Sequence, residues 1–231
     1  MKLNLTKTKA VTFSYTHPRV IFRQDSLSLG MEVKIVKSLK LLCVHVESDL
    51  RLDEFVAAGR KRGLYASWQL RRLQAQGVST NHLRTAYVGY VRSTTEYGLL
   101  TLSSMLTGTQ WSRLEAVQRR ATKVCLGFRP LAFGDHIMPY EDRLQQLHLA
   151  NLQERTEKRL KKFALMNEFE PRFEPYLARR TLTGRASRLP RPYLQPIPRT
   201  ERLRHSPFYF MRSFLNTLET TPEQRRGPVT Q

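Results

Sequence analysis

The groups that make and break bonds are present in this chain but are not gathered. Two-metal phosphoryl transfer needs clustered carboxylates. The nearest acidic neighbours are Glu47 with Asp49, Asp53 with Glu54, and Glu141 with Asp142. Each group stands where a helical pattern starts, so these residues read as caps or first-turn charges that complement the helix dipole. His17, His45, His82, His136, His148 and His205 show no ligand spacing, and no cysteine joins them. The serines form no G-x-S-x-G elbow, and the glycines no G-x-G-x-x-G or Walker loop. Cys43 lies in an apolar run and reads as a buried, inert thiol. With Cys125 it makes only two cysteines, without metal-finger spacing or a disulfide framework, which fits a reducing compartment.

What remains is cationic. Lys and Arg number 39 against 19 Asp and Glu, for a formal charge of +20. Such a balance faces a polyanion, most often nucleic acid. The candidate phosphate contacts are Arg71, Arg72, Arg113, Arg119, Arg120 and Lys123. The competing reading is an ordinary solvated helix face. Trp68, Trp111, Tyr87 and Tyr90 read as core rather than as platforms for bases. No apolar run is long enough to span a membrane, and the N-terminus lacks a signal peptide's apolar stretch, so the expected location is nucleus or cytoplasm.

The elements that would position these residues fall into three parts. Residues 1–50 read as strands: Ala10–Tyr15 alternates, Arg19–Arg23 pairs with Met31–Val36 around Gly30, and Leu39–Val46 is a buried strand. Residues 51–127 read as three helices. The first runs from about Leu52 to Gln76, capped by Asp49 or Asp53 and ended by Gly77, with Leu52, Phe55, Val56, Leu64, Leu70 and Leu73 as its stripe. Gly59 and Gly63 weaken the case for its continuity. The second starts at Ser79 or Thr80 and continues to Tyr97. The third runs from Thr109 to Leu126, with Trp111, Leu114, Val117, Ala121 and Val124 on one face and Gly127 beyond its end.

Residues 128–231 mix helix and extended chain. Tyr140–Met166 is helical with a break near His148, and charge pairs are expected among Glu154, Glu157, Lys158 and Lys161. Prolines and arginines from Pro171 to Pro207 suggest an extended basic arm. A last helix opens at Ser206 and Pro207, and the chain frays after Glu219. The expected class is α+β, mostly α: a small β-hairpin unit, a three-helix bundle, and a basic helical and extended tail.

Several stretches, in this order, resemble one family. "LNLTKTKAVTFS", "SLKLLCVHVESDLRLDEFV", "LRTAYVGYVRSTTEYGLLTLSS", "RLEAVQRRATKVCLG", "YEDRLQQLHLANLQERTEKRLKKFAL" and "RTERLRHSPFYFMRSFLN" are similar to segments in the C-terminal part of reverse transcriptases from non-LTR (LINE-type, Jockey-like) retrotransposons. The resemblance covers about residues 1–218 and implies the end of a palm over 1–50, a thumb over 51–127 that clamps a template–primer duplex of RNA or DNA, and a C-terminal tail over 128–231. It matches Lys7 to a lysine that can protonate pyrophosphate. It matches Leu39, Lys40, Leu41, Leu42, Cys43 and Val44 to the primer grip, where Leu41–Leu42–Cys43 replaces the family's Tyr-Leu-Gly. On the thumb, Arg113, Arg119, Arg120 and Lys123 become phosphate contacts. The intact family uses Mg, held by a Tyr-x-Asp-Asp box that precedes the first matched segment, and no Asp-Asp pair occurs in this chain. The expectation is a catalytically incomplete polymerase fragment, not an enzyme as it stands and without a cofactor, that still binds nucleic acid without reading sequence. The alternatives are a poorly folding pseudogene product with no biochemical role and a truncated gene model of an active enzyme.

Overall fold

A computed structural model describes residues 8–13, 26–28, 32–127, 138–179, 192–198 and 204–220. It is α+β and mostly α. The chain divides into two compact units, one of Met1–Thr95 with Ser112–Ile137 and one of Glu96–Trp111 with Met138–Gln231.

The first unit opens with short strands. β1 (Lys9–Ala10) runs parallel to β3 (Glu32–Ile35), and β2 (Ser26–Ser28) pairs antiparallel on the other side, Leu27 opposite Val33. The expected partner of β3, Arg19–Arg23, lies outside the described residues, as do Lys7 and the last residues of the Ala10–Tyr15 stretch. β4 (Ser38–Leu41) and β5 (Val44–Glu47) form a two-residue hairpin with Leu41 opposite Val44. The single buried strand expected over Leu39–Val46 is therefore folded in two. Its apolar centre is the turn, so Leu41 is 57% and Leu42 80% exposed. Leu42 and Cys43 take φ of 47° and 63°. Two positive φ values are what a tight hairpin needs to match strand twist, and they normally call for Asn-Gly. Cys43 adopts the left-handed backbone in spite of its Cβ, at a cost of about 1 kcal/mol.

Helix α1 (Asp53–Ala75) follows. Neither Asp49 nor Asp53 caps it. Asp49 accepts instead from the Arg51 amide, and the Glu54 amide donates to Glu47 Oε2 at 3.2 Å, so β5 supplies the cap. Burial pushes the Glu47 carboxyl above its ordinary value while the Glu54 amide pulls it down. The helix enters through Leu52, left-handed at φ 63°, whose side chain is buried. Burying a leucine gains about 2 kcal/mol, enough to offset that strain. At the far end Gly77, φ 80°, donates to Gln74 O and Val78 donates to Leu73 O. That pair of bonds is a Schellman stop, as the glycine foretold.

The buried face of α1 is Phe55, Val56, Gly59, Gly63, Ala66, Ser67 and Leu70, whereas Leu73 of the expected stripe is exposed. The two glycines do not interrupt the helix. A Cβ on Gly63 would lie 2.4 Å from Thr95 Oγ1 and 2.8 Å from Val117 Cγ1, whereas one on Gly59 would meet nothing closer than 3.5 Å.

The second helix is not uniform. α2 (Thr80–Ala86) passes into a π-helical segment, Tyr87–Arg92, and then α3 (Ser93–Glu96). Hydroxyls follow the widened turn: Ser93 donates to Gly89 O, Thr94 to Tyr90 O and Thr95 to Val91 O, at 2.7–3.0 Å. These back-bonds occupy carbonyls whose usual helical partners the wider ring has displaced.

In the second unit, α4 (Leu99–Leu102) leads to α5 (Gly108–Cys125), which continues into the first unit. Thr107 and Gln110 bond each other's amides reciprocally, a capping box two residues before Thr109. α6 (Tyr140–Gln146) ends at His148, φ 49°, where Leu149 donates to Leu144 O and His148 to Gln145 O. The expected break is thus a Schellman stop without glycine. α7 (Leu152–Met166) begins at Asn151, whose side chain accepts from the Glu154 amide. Its ion pairs reach out of the helix: Arg155 Nε and Arg159 Nη1 hold the two oxygens of the nearly buried Glu96 at 2.8 and 2.9 Å. α8 (Pro207–Thr220) starts as expected, with Ser206 Oγ accepting from the Tyr209 amide.

The core of this unit is Leu160, Ala164, Leu177, Tyr193, Met211 and Leu215. Within the expected extended basic arm, whose residues 180–191 and 199–203 lie outside the described residues, Tyr193 is anchored. Its amide and carbonyl are both bonded by Asn216, its hydroxyl donates to Glu168, and Arg179 bonds both Glu168 and Tyr193. Burial foremost, with Glu168 adding to it, pushes the phenol up to about 12.

Gly63→Ala is expected to destabilise the protein by about 1–3 kcal/mol, because the β-branched Val117 has little room to yield. Gly59→Ala is expected to be neutral or stabilising by up to about 1 kcal/mol, the helix-propensity gain. Cys43→Gly relieves the hairpin and is expected to add about 0.5–1 kcal/mol. Urea denaturation followed by circular dichroism reads all three.

Candidate nucleic-acid interface

Helix α5 separates its side chains sharply. Leu114, Val117, Ala121, Val124 and Cys125 are buried on one side together with Gln118, whose Oε1 accepts from the buried Tyr87 hydroxyl at 2.5 Å. At about 100° per residue, Arg113, Arg119, Arg120 and Lys123 all fall within the opposite third of the wheel. The three arginines are exposed and Lys123 is half-buried. Ten residues of helix span about 15 Å. Arg113 Nη1 lies 3.8 Å from Asp53 Oδ1, both side chains mostly exposed. Such a pair is worth well under 1 kcal/mol and yields readily to a phosphate.

The two arginines of α1 are not one site. Arg71 and Arg72 are both exposed, but successive residues point about 100° apart. Arg72 lies with its guanidinium carbon 5.2 Å from the centre of the Trp68 ring.

Two aromatics expected in the core are at the surface: Trp68 is 49% and Tyr90 47% exposed. Tyr87 is buried, as expected, whereas Trp111, also expected in the core, is only half-buried. Tyr65, which the sequence reading passed over, is 60% exposed beside Trp68. The signal for it was available, because Lys61, Tyr65, Trp68 and Arg72 recur at helical spacing opposite the glycines. The six positions Leu39–Val44, for which a primer-grip role is an expectation only, form the β4–β5 hairpin, its tip carrying Leu42 and Cys43 into solvent.

Among the described residues, no group of three His, Cys, Asp or Glu side chains is placed to hold a metal ion, and no helix is long and apolar enough to cross a membrane. Comparison with family models, with curated proteins and with solved structures finds no match to this chain.

Cys43 is exposed, which overturns its expected burial, whereas Cys125 is buried and its burial pushes the thiol up to about 12. A chromogenic disulfide reagent at mildly alkaline pH should therefore titrate one thiol in the native protein, lost in Cys43→Ser, and the second only on unfolding.

Proposed function

We propose that this chain is a sequence-independent nucleic-acid-binding protein, related to the thumb and tail of non-LTR reverse transcriptases, that holds a polynucleotide but does not extend one. The observation that carries the reading is the division of α5 into an apolar side and a cationic side bearing Arg113, Arg119, Arg120 and Lys123. Phosphate contacts from a rigid helix fix a duplex in place without reading bases. Template–primer duplex, RNA or DNA, is the ligand class.

Fluorescence anisotropy with an RNA–DNA duplex tests this. If about six phosphates are neutralised in all, affinity falls about a thousandfold between about 50 and 200 mM salt. Changing the four α5 cations to Gln lowers the slope of log affinity against log salt by about 3 to 4. A curve flat in salt overturns the reading.

A further inference from the structure

Helix α1 buries its glycine face and turns the opposite side, Lys61, Tyr65, Trp68 and Arg72, to solvent. The aromatic members are organised. The Tyr65 and Trp68 rings lie 6.2 Å apart and tilted by 30°, Gln69 Nε2 donates to the Tyr65 hydroxyl at 3.2 Å, and the Arg72 guanidinium lies over Trp68. The π-helical segment adds Tyr90, which with Gln69, Arg72, Leu73 and Gln76 lines a shallow depression beside them. The stretch that carries these residues is basic: from Phe55 to Thr95 the sequence has no Asp or Glu, but has Arg60, Lys61, Arg62, Arg71, Arg72, Arg84 and Arg92.

Exposed rings, a flat guanidinium, two carboxamides and no carboxylate match one ligand class. Ring faces and Arg planes stack on bases, Gln side chains bond base edges, and the cations draw the backbone. An apolar protein helix would find too many cations here, and a duplex would keep its base faces hidden. We infer that Tyr65, Trp68, Arg72 and Tyr90 form a stacking platform for unpaired bases of a single-stranded nucleic acid, apart from the phosphate-binding side of α5. The inference rests on the nucleic-acid reading above and narrows it.

The chain's only two tryptophans are Trp68 and Trp111, so Trp111→Phe leaves Trp68 as the sole indole reporter. Titration of this full-length variant with a single strand of about 12 nucleotides is expected to quench Trp68 fluorescence. An RNA–DNA duplex of equal length and heparin, a polyanion without bases, are expected to leave it unquenched. In the otherwise native chain, Trp68→Ala is expected to weaken single-strand binding about ten- to a hundredfold and to leave duplex binding unchanged, with Trp68→Phe restoring most of the loss. The quenching arm keeps Trp68 in place and so stands even if Trp68→Ala folds poorly. Anisotropy run in parallel separates the failures. Single-strand binding without quenching, or equal quenching by heparin, overturns the platform and leaves the nucleic-acid reading intact. No binding to either nucleic acid overturns both. A sedimentation coefficient that rises with concentration, and does not in Trp68→Ala, shows a second copy covering the face and likewise overturns the platform.

Discussion

The first unit depends on the room left by a missing methyl group. Where Gly63 meets Thr95 and Val117, a Cβ would fall inside van der Waals contact of both. Val117 is branched at Cβ and cannot swing aside. The closeness of that contact seats the apolar side of α5, and the hydrogen bond from Tyr87 to Gln118 then fixes the helix's rotation at a buried point. A polar bond in a dry setting tolerates little misalignment. With rotation fixed, the cations of α5 have only one direction in which to point. The geometry of a charged surface is thus decided by its uncharged reverse.

Much of this was legible in the sequence, and the misses have particular causes. Helices α1, α5, α7 and α8 were marked by periodic apolar residues and by stop or start signals such as Gly77 and Ser206, because those signals act within one or two turns. The break at His148 was visible although its left-handed backbone was not, since the residue lacks the usual glycine. The hairpin was misread as a buried strand because "LLCV" is apolar throughout, and the turn is imposed by pairing of Ser38–Leu41 with Val44–Glu47 rather than by turn-forming residues. The cap from Glu47 was hidden because it comes from a strand seven residues away. Trp68 and Tyr90 were assigned to the core on composition, while the helical wheel of α1 already placed Trp68 opposite the glycines. The π-helical segment left no periodic trace, although the hydroxyl run Ser93–Thr95 that supports it stands in plain view.

The second unit shows the same economy of polar contacts. Glu96 is almost fully withdrawn from water, and both of its oxygens are taken by α7 arginines one turn apart. An isolated buried carboxylate would be untenable, and the two guanidiniums remove that difficulty together. Tyr193, set in proline- and arginine-rich sequence that reads as linker, is held at its amide, carbonyl, ring and hydroxyl. Composition describes the average of such a segment and says nothing of a single anchored residue within it.

The long stretch without acids has a thermodynamic side. With no carboxylate between Glu54 and Glu96, the cations of α1 and the helical segments after it repel one another at a separation that the fold itself enforces. Unfolding lets those charges spread, so bare self-repulsion subtracts from the stability of the empty protein. Any polyanion that settles among them removes the subtraction as well as adding its own attraction. Occupancy and foldedness are therefore coupled quantities: the molecule is most itself when it is not alone.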